Sequence, residues 1–130
     1  MILVDTHVVL WLALDPARIS KKAAAVIEET RHSGEGLAIS DMSLLEIAVI
    51  ESKHRIRLSA SLETFLTEVE SRFVVLPITG RICVRAIGLP ASYPKDPADR
   101  VIAATALVEG ISLITADDDI RKSKALRTIW

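Results

Sequence analysis

The chain is predicted to be an α/β protein, a three-layer sandwich with a central parallel sheet of four to five strands flanked by helices. Three observations predict it. Short apolar strand candidates alternate with helix-like segments along the whole length. No hairpin turn signal joins any two of them. Two of the strands run straight into aspartate, and open α/β sheets place their sites at the carboxyl ends of their strands.

At 130 residues the chain is expected to form one domain, spanning 1–130, with a core of its own. Half its residues are hydrophobic and its mean hydropathy is +0.36. No apolar run is long enough to span a bilayer, so this surplus is expected inside the protein or at an interface. Asp5 interrupts the apolar start and no basic region precedes it, so no signal peptide is expected. Cys83 is the single cysteine, which excludes a disulfide framework and a thiolate zinc site. A cytoplasmic location is the resulting expectation. A net charge of −1 does not announce a nucleic-acid binder. Basic residues do cluster locally, at Lys53, His54, Arg55 and Arg57 and again at Arg121, Lys122, Lys124 and Arg127.

Taken in order, Met1 to Val4 reads as a buried strand that breaks at Asp5. A helix follows through Leu14 and stops at Asp15-Pro16. Ser20 to His32 is a second helix, Ser33 to Gly36 a turn, and Leu37 to Ser40 a strand. Asp41 to Ile50 is a third helix. A basic link leads to a helix from Leu62 to Ser71 and a strand from Phe73 to Leu76. Thr79 to Ile87 is helical and Gly88 to Lys95 a loop. Ile111 to Thr115 is a strand ending at Asp117-Asp118-Asp119; a helical turn at Ile120 to Ser123 and an edge strand at Leu126 to Trp130 close the chain.

Between the loop and that late strand stands Asp96-Pro97-Ala98-Asp99-Arg100, followed by an almost wholly apolar run through Val108. Asp96 at the N-cap, Pro97 at the first helical position and Asp99 at the third make a helix start. Gly110 supplies its stop. Capping alone accounts for both acids, since carboxylates interact favourably with a helix N-terminus. Glu46 is harder to explain. Met42, Leu45, Val49 and Ile50 surround it one turn away, an apolar setting in which a carboxylate needs a cation, a proton or a cavity.

In a parallel sheet all strand ends and the starts of the following helices share one rim. Asp5, Glu46, Asp96, Asp99 and Asp117 are expected to converge there, with no lysine in the apolar segments around them. Such a cluster repels itself unless divalent cations fill it. Oxygen donors without cysteine or obligatory histidine select Mg²⁺ or Mn²⁺. The commonest chemistry of such a pocket is phosphodiester hydrolysis, by activating water and stabilising charge on the attacking and leaving oxygens.

Four stretches carry a resemblance: Ile2-Leu3-Val4-Asp5-Thr6-His7; Ser43-Leu44-Leu45-Glu46-Ile47-Ala48; Asp96-Pro97-Ala98-Asp99-Arg100 and its apolar continuation to Ala106; and Leu113-Ile114-Thr115-Ala116-Asp117. In this order and spacing the chain resembles the PIN-domain ribonucleases, most closely the VapC-type toxins of type II toxin–antitoxin pairs, from residue 2 to about residue 123. The resemblance implies a PIN-like fold and a Mg²⁺- or Mn²⁺-dependent endoribonuclease. Asp5, Glu46, Asp99 and Asp117 match the family's catalytic, metal-binding acids, with Asp96 and Asp119 as accessory acids. Thr6 and Thr115 match hydroxyl positions beside carboxylate or substrate phosphate. Arg100 and the Lys53 to Arg57 patch would track RNA, although Arg100 could equally pair with a neighbouring acid. The implied partners are RNA, a cognate antitoxin covering a groove beside the pocket, and a second copy in a homodimer. No membrane is implied. Two positions depart from the pattern: Pro94 stands where this variant usually has histidine, and Asp41 where a small residue is commoner.

Three rival readings fit less well. A phosphoacceptor receiver domain needs a lysine ending a late strand, where this chain has Thr115-Ala116-Asp117. A PIN fold serving only as a binding module has no reason to keep costly clustered carboxylates. A DNA-directed nuclease of similar fold is opposed only weakly by the residues.

Overall fold

The computed structural model describes residues 1–130. Five strands, β1 (Ile2–Val4), β2 (Leu37–Ser40), β3 (Val74–Leu76), β4 (Leu113–Ile114) and β5 (Thr128–Ile129), form one sheet in the order β3-β2-β1-β4-β5. Every pairing is parallel, with Leu3 beside Ala38 on one side and beside Leu113 on the other. The helices are α1 (Thr6–Leu14), α2 (Lys21–Ser33), α3 (Asp41–Ser52), α4 (Leu62–Arg72), α5 (Gly80–Ile87), α6 (Pro97–Glu109) and α7 (Asp118–Ser123). The predicted α/β sandwich is the observed architecture, at the upper end of the expected strand number.

Strand alternation divides the core between the two sheet faces. Val4, Leu37, Ile39 and Ile114 point to one face, where they pack with Val8 and Val9 of α1, Ile27 of α2, Ile47 of α3 and Val69 of α4. Leu3, Ala38 and Leu113 point to the other, against Ile102, Ala103 and Ala106 of α6, Ile120 of α7, and Leu89 and Tyr93 from the loop before α6. Helix α5 lies outside α6, joined to it through Ile82, Ala86 and Ala104. No helix is long and apolar enough to cross a membrane.

Each helix is opened by a side chain that accepts a backbone N–H: Asp5, Ser20, Ser40, Ser61, Thr79, Asp96 and Asp117 in turn. Local chemistry therefore places the boundaries, and the differences from the sequence reading are small. Helix α1 begins at Thr6 because Asp5 Oδ1 accepts the Thr6 N–H at 2.8 Å. Helix α3 runs on to Ser52. Pro16–Arg18 forms an unpredicted 3₁₀ turn, and strand β4 pairs over only Leu113 and Ile114. Ser61 caps α4 through the Thr64 N–H at 3.1 Å. Replacing Ser61 with alanine is expected to cost about 1 kcal/mol, read as a lower denaturation midpoint at an unchanged slope.

The sheet order reverses direction between β1 and β4. Such a switch point opens a crevice at the carboxyl ends of the two strands. Asp5 follows β1 and Thr115 to Asp117 follow β4, so both flank that crevice.

Candidate metal centre

Carboxylate oxygens of Glu46, Asp96 and Asp99 all lie within 4.8 Å of one another. Two elements bring them there. Helix α3 supplies Glu46 from its second turn, and the first turn of α6 supplies Asp96 and Asp99. Asp96 Oδ1 accepts from the backbone N–H of Ala98 at 2.9 Å and of Asp99 at 3.2 Å. The cap that starts α6 thus carries both acids to the crevice.

Asp5 lies deeper. It is 7 % exposed, and both its oxygens are occupied: Oδ1 by the Thr6 N–H and Oδ2 by the Thr115 hydroxyl at 2.7 Å. Burial pushes its pKa above the ordinary carboxylate range; the hydrogen bonds from Thr115 and Thr6 oppose that rise, and the charge of Asp117 adds to it. Glu46 is also raised, by desolvation first, with Asp5 and Asp96 adding to it and the Thr6 hydroxyl opposing. Asp99 is raised as well. Desolvation, then the charges of Asp5, Asp96, Glu46 and Asp117, push it up to about 7. The Asp99 carboxylate receives no hydrogen bond, and the nearest basic side chain of its own helix is turned elsewhere.

That side chain is Arg100. Its guanidinium donates to the carbonyls of Ala86 at 3.2 Å and Tyr93 at 3.4 Å, not to a neighbouring acid. The Tyr93 hydroxyl donates to the Asp99 carbonyl at 3.0 Å, and its side chain is fully buried. Arg100 and Tyr93 together brace the loop before α6 against its first turn.

The remaining sequence-predicted residues divide. Thr6 and Thr115 are buried and hydrogen-bond to Glu46 and Asp5 respectively, so in this structure they contact carboxylates. Asp117 is exposed and caps α7 through the Ile120 N–H at 3.0 Å; it stands outside the three-acid group while still acting on Asp5 and Asp99. Asp119 lines a separate shallow cavity with Ser92, Pro94, Lys122 and Ser123, and is not brought to the cluster. Asp41, one of the departures, accepts from the Ile78 N–H at 3.2 Å and ties the start of α3 to the loop after β3.

The surroundings of Glu46 differ from the sequence picture. Leu45 is 59 % exposed and Val49 41 % exposed, while Met42 and Ile50 are half-buried and Ile50 packs against the core, so only part of the apolar setting of Glu46 is core. Ser43 is fully buried, as is Ile47. Met42, Leu45 and Val49 instead form one wall of a groove of about 760 Å³ that reaches Glu46 and Asp96. Trp11 and Leu14 of α1 form the other wall, and Arg18, Lys53, Arg55 and Arg57 supply a basic rim. The Arg18 guanidinium sits 4.4 Å above the Trp11 ring. The second basic cluster is partly spent on structure, Arg121 pairing with Asp118 at 3.4 Å and Arg127 reaching the Gly110 carbonyl.

The donor set suits a hard divalent cation. Every candidate atom is a carboxylate oxygen, and none of the three acids is in a salt bridge. Glu46, Asp96 and Asp99 would hold such an ion, with Asp5 and Asp117 completing its negative surroundings. When bound, it would lower the pKa of a coordinated water and stabilise charge on phosphate oxygens.

The PIN-domain family profile matches residues 2–126. Ribonuclease VapC22 of Mycobacterium tuberculosis is 35% identical over 131 aligned residues, covering 99% of this chain and 98% of its own. Among solved structures, VapBC2 from Rickettsia felis bound to a DNA fragment from their promoter superposes with a TM-score of 0.73 at 18% identity, covering 98% of this chain and 97% of that one. DNA-bound VapBC from Salmonella typhimurium gives 0.70 at 21% identity, with 98% and 97% covered. The structural matches share the parallel sheet and its flanking helices. With the profile matched almost from end to end and a curated relative aligned over nearly its full length, the chain belongs to the PIN-domain family, among its VapC ribonucleases.

Proposed function

We propose that this protein is a Mg²⁺- or Mn²⁺-dependent endoribonuclease that hydrolyses RNA phosphodiester bonds and acts as the toxin of a toxin–antitoxin pair. The observation that carries the reading is the group of Glu46, Asp96 and Asp99 at the sheet rim, three acids gathered together with no salt bridge to any of them. The similarity to Ribonuclease VapC22 supports RNA as the substrate. In this reading Asp5, Glu46, Asp99 and Asp117 are the catalytic acids and Asp96 their companion. Asp119 serves as an outlying acid and Arg100 acts on substrate only through the loop it braces.

The chain's own residues would act in three ways. The acids hold the divalent ion where the phosphate must approach. Thr6 and Thr115 keep Glu46 and Asp5 oriented, so little reorganisation accompanies loading. Lys53, Arg55 and Arg57 would neutralise the RNA backbone along the groove that leads to Glu46 and Asp96. The same groove suits a cognate antitoxin. Its apolar walls and basic rim would accept an amphipathic acidic segment, and a cation at that segment's tip would neutralise the acid cluster. We also assign a single domain over residues 1–130, a homodimer and a cytoplasmic location. Val84 and Ile87 of α5, 76 % and 84 % exposed, support an unfilled interface.

Incubating the purified chain with a structured RNA and Mn²⁺ is expected to give cleavage that EDTA stops and that Asp5→Asn abolishes. Cleavage that survives either treatment would overturn the proposed mechanism.

A further inference from the structure

Ser43 lies inside the molecule with no exposed surface, although its position beside Leu44 and Leu45 does not mark it as buried. Its Oγ is 2.8 Å from the Thr6 Oγ1, and that Thr6 oxygen is 2.5 Å from Glu46 Oε1. A hydroxyl carries one proton, and a carboxylate in this contact can only accept. Thr6 therefore donates to Glu46, and its lone pair accepts the proton of Ser43. With Glu46 ionised, as a metal ligand must be, the direction of the chain is Ser43 to Thr6 to Glu46. Two helices are joined by it, α1 through Thr6 and α3 through Ser43 and Glu46, across 37 and 40 residues of sequence.

The consequence falls on Glu46. Oε1 is engaged by Thr6, while Oε2 takes no hydrogen bond from the protein. Chains of hydroxyls polarise one another, so the proton given by Ser43 strengthens the bond that Thr6 makes. We infer that Ser43, acting through Thr6, is a positioning residue that holds Glu46 Oε1 and leaves Oε2 to bind the divalent cation. This rests on the proposed metal centre. Ser43 touches neither cation nor substrate in this arrangement. Its effect is transmitted through the Thr6 hydroxyl, as expected of groups that orient metal ligands.

The test is a double-mutant cycle on the full chain, read by calorimetric titration with Mn²⁺ alone and by thermal melting without metal. Ser43→Ala is expected to raise the Mn²⁺ dissociation constant about tenfold. Thr6→Val should weaken binding at least as much, while Thr6→Ser, which keeps the hydroxyl, should stay near the unsubstituted protein. In the Thr6→Val background, Ser43→Ala should have no further effect on Mn²⁺ binding. Additive effects would overturn the relay, as would a Ser43→Ala variant that melts lower but binds Mn²⁺ unchanged, the signature of a packing role alone. If the unsubstituted protein takes up no Mn²⁺, the metal-centre reading fails and the relay with it. If it binds and Ser43→Ala binds equally, only the relay fails.

Discussion

Asp99→Asn is expected to lower the rate of RNA cleavage by about 10³-fold, the scale seen when one preorganised charge-stabilising group is removed, and at the same time to make the metal-free protein more stable at alkaline pH. The two effects share a cause. Asp99 is partly desolvated and surrounded by Asp5, Asp96, Glu46 and Asp117, and no hydrogen bond compensates its charge. Asparagine keeps the shape and removes the repulsion. It also removes the anion that would hold the cation. Most core-lining substitutions lose activity and stability together, so a fall in turnover with a rise in melting midpoint is a distinctive signature. A variant that lost both would show that Asp99 is chiefly a structural group. Activity should be compared with Mn²⁺ in excess, and melting measured with EDTA present.

The second large effect is on pH and metal together. The pKa of Asp99 in the folded chain stands at about 7, above its unfolded value, and those of Asp5 and Glu46 are raised too. A raised carboxyl pKa means that the folded state binds the proton more tightly than the unfolded state does. The stabilisation this brings is present in full below the unfolded carboxyl range at about pH 4 and is lost as pH rises through the folded values. The metal-free melting midpoint should therefore fall between about pH 5 and about pH 8, as the cluster becomes charged. Added Mn²⁺ should reverse the fall. The gain should be largest at the alkaline end, where no proton competes for the site. A melting midpoint in EDTA that rises steadily over that interval would contradict the assigned repulsion. So would Mn²⁺ stabilisation that is greatest in acid.

The sequence made the fold and most of the acids legible because both are written locally. A strand that ends in aspartate, or a helix that opens with Asp-Pro, places its carboxylate by backbone geometry within a few residues. Asp5, Asp96 and Asp117 each cap a helix, and the parallel sheet gathers those helix starts on one rim. What stayed hidden depends on orientation. Helix α3 is apolar on nearly every side, so hydrophobic pattern does not say which stripe meets the core. Ile47 and Ser43 face inward, while Leu45 and Val49 face the groove. Two of the apolar neighbours that mark Glu46 in the sequence, Leu45 and Val49, are in fact exposed. Arg100 was equally opaque, because its partners are the carbonyls of Ala86 and Tyr93, and carbonyls are the same whatever the side chain. The tighter grouping of Asp96 than of Asp117 with Glu46 and Asp99 is a matter of ångströms, below the resolution of motif spacing.

Helix α6 is fastened at both ends. Asp96 and Pro97 start it, Arg100 and Tyr93 tie its first turn to the preceding loop, and Gly110 in a left-handed conformation closes it. A loop bearing the same acids could move them apart when empty and gather them only around an ion. This helix has no such freedom, so the crowding of like charges is imposed when the chain folds rather than when a cation arrives. A divalent ion held there would relieve a repulsion already present, and selectivity would fall to the cation that fits a spacing set by the fold.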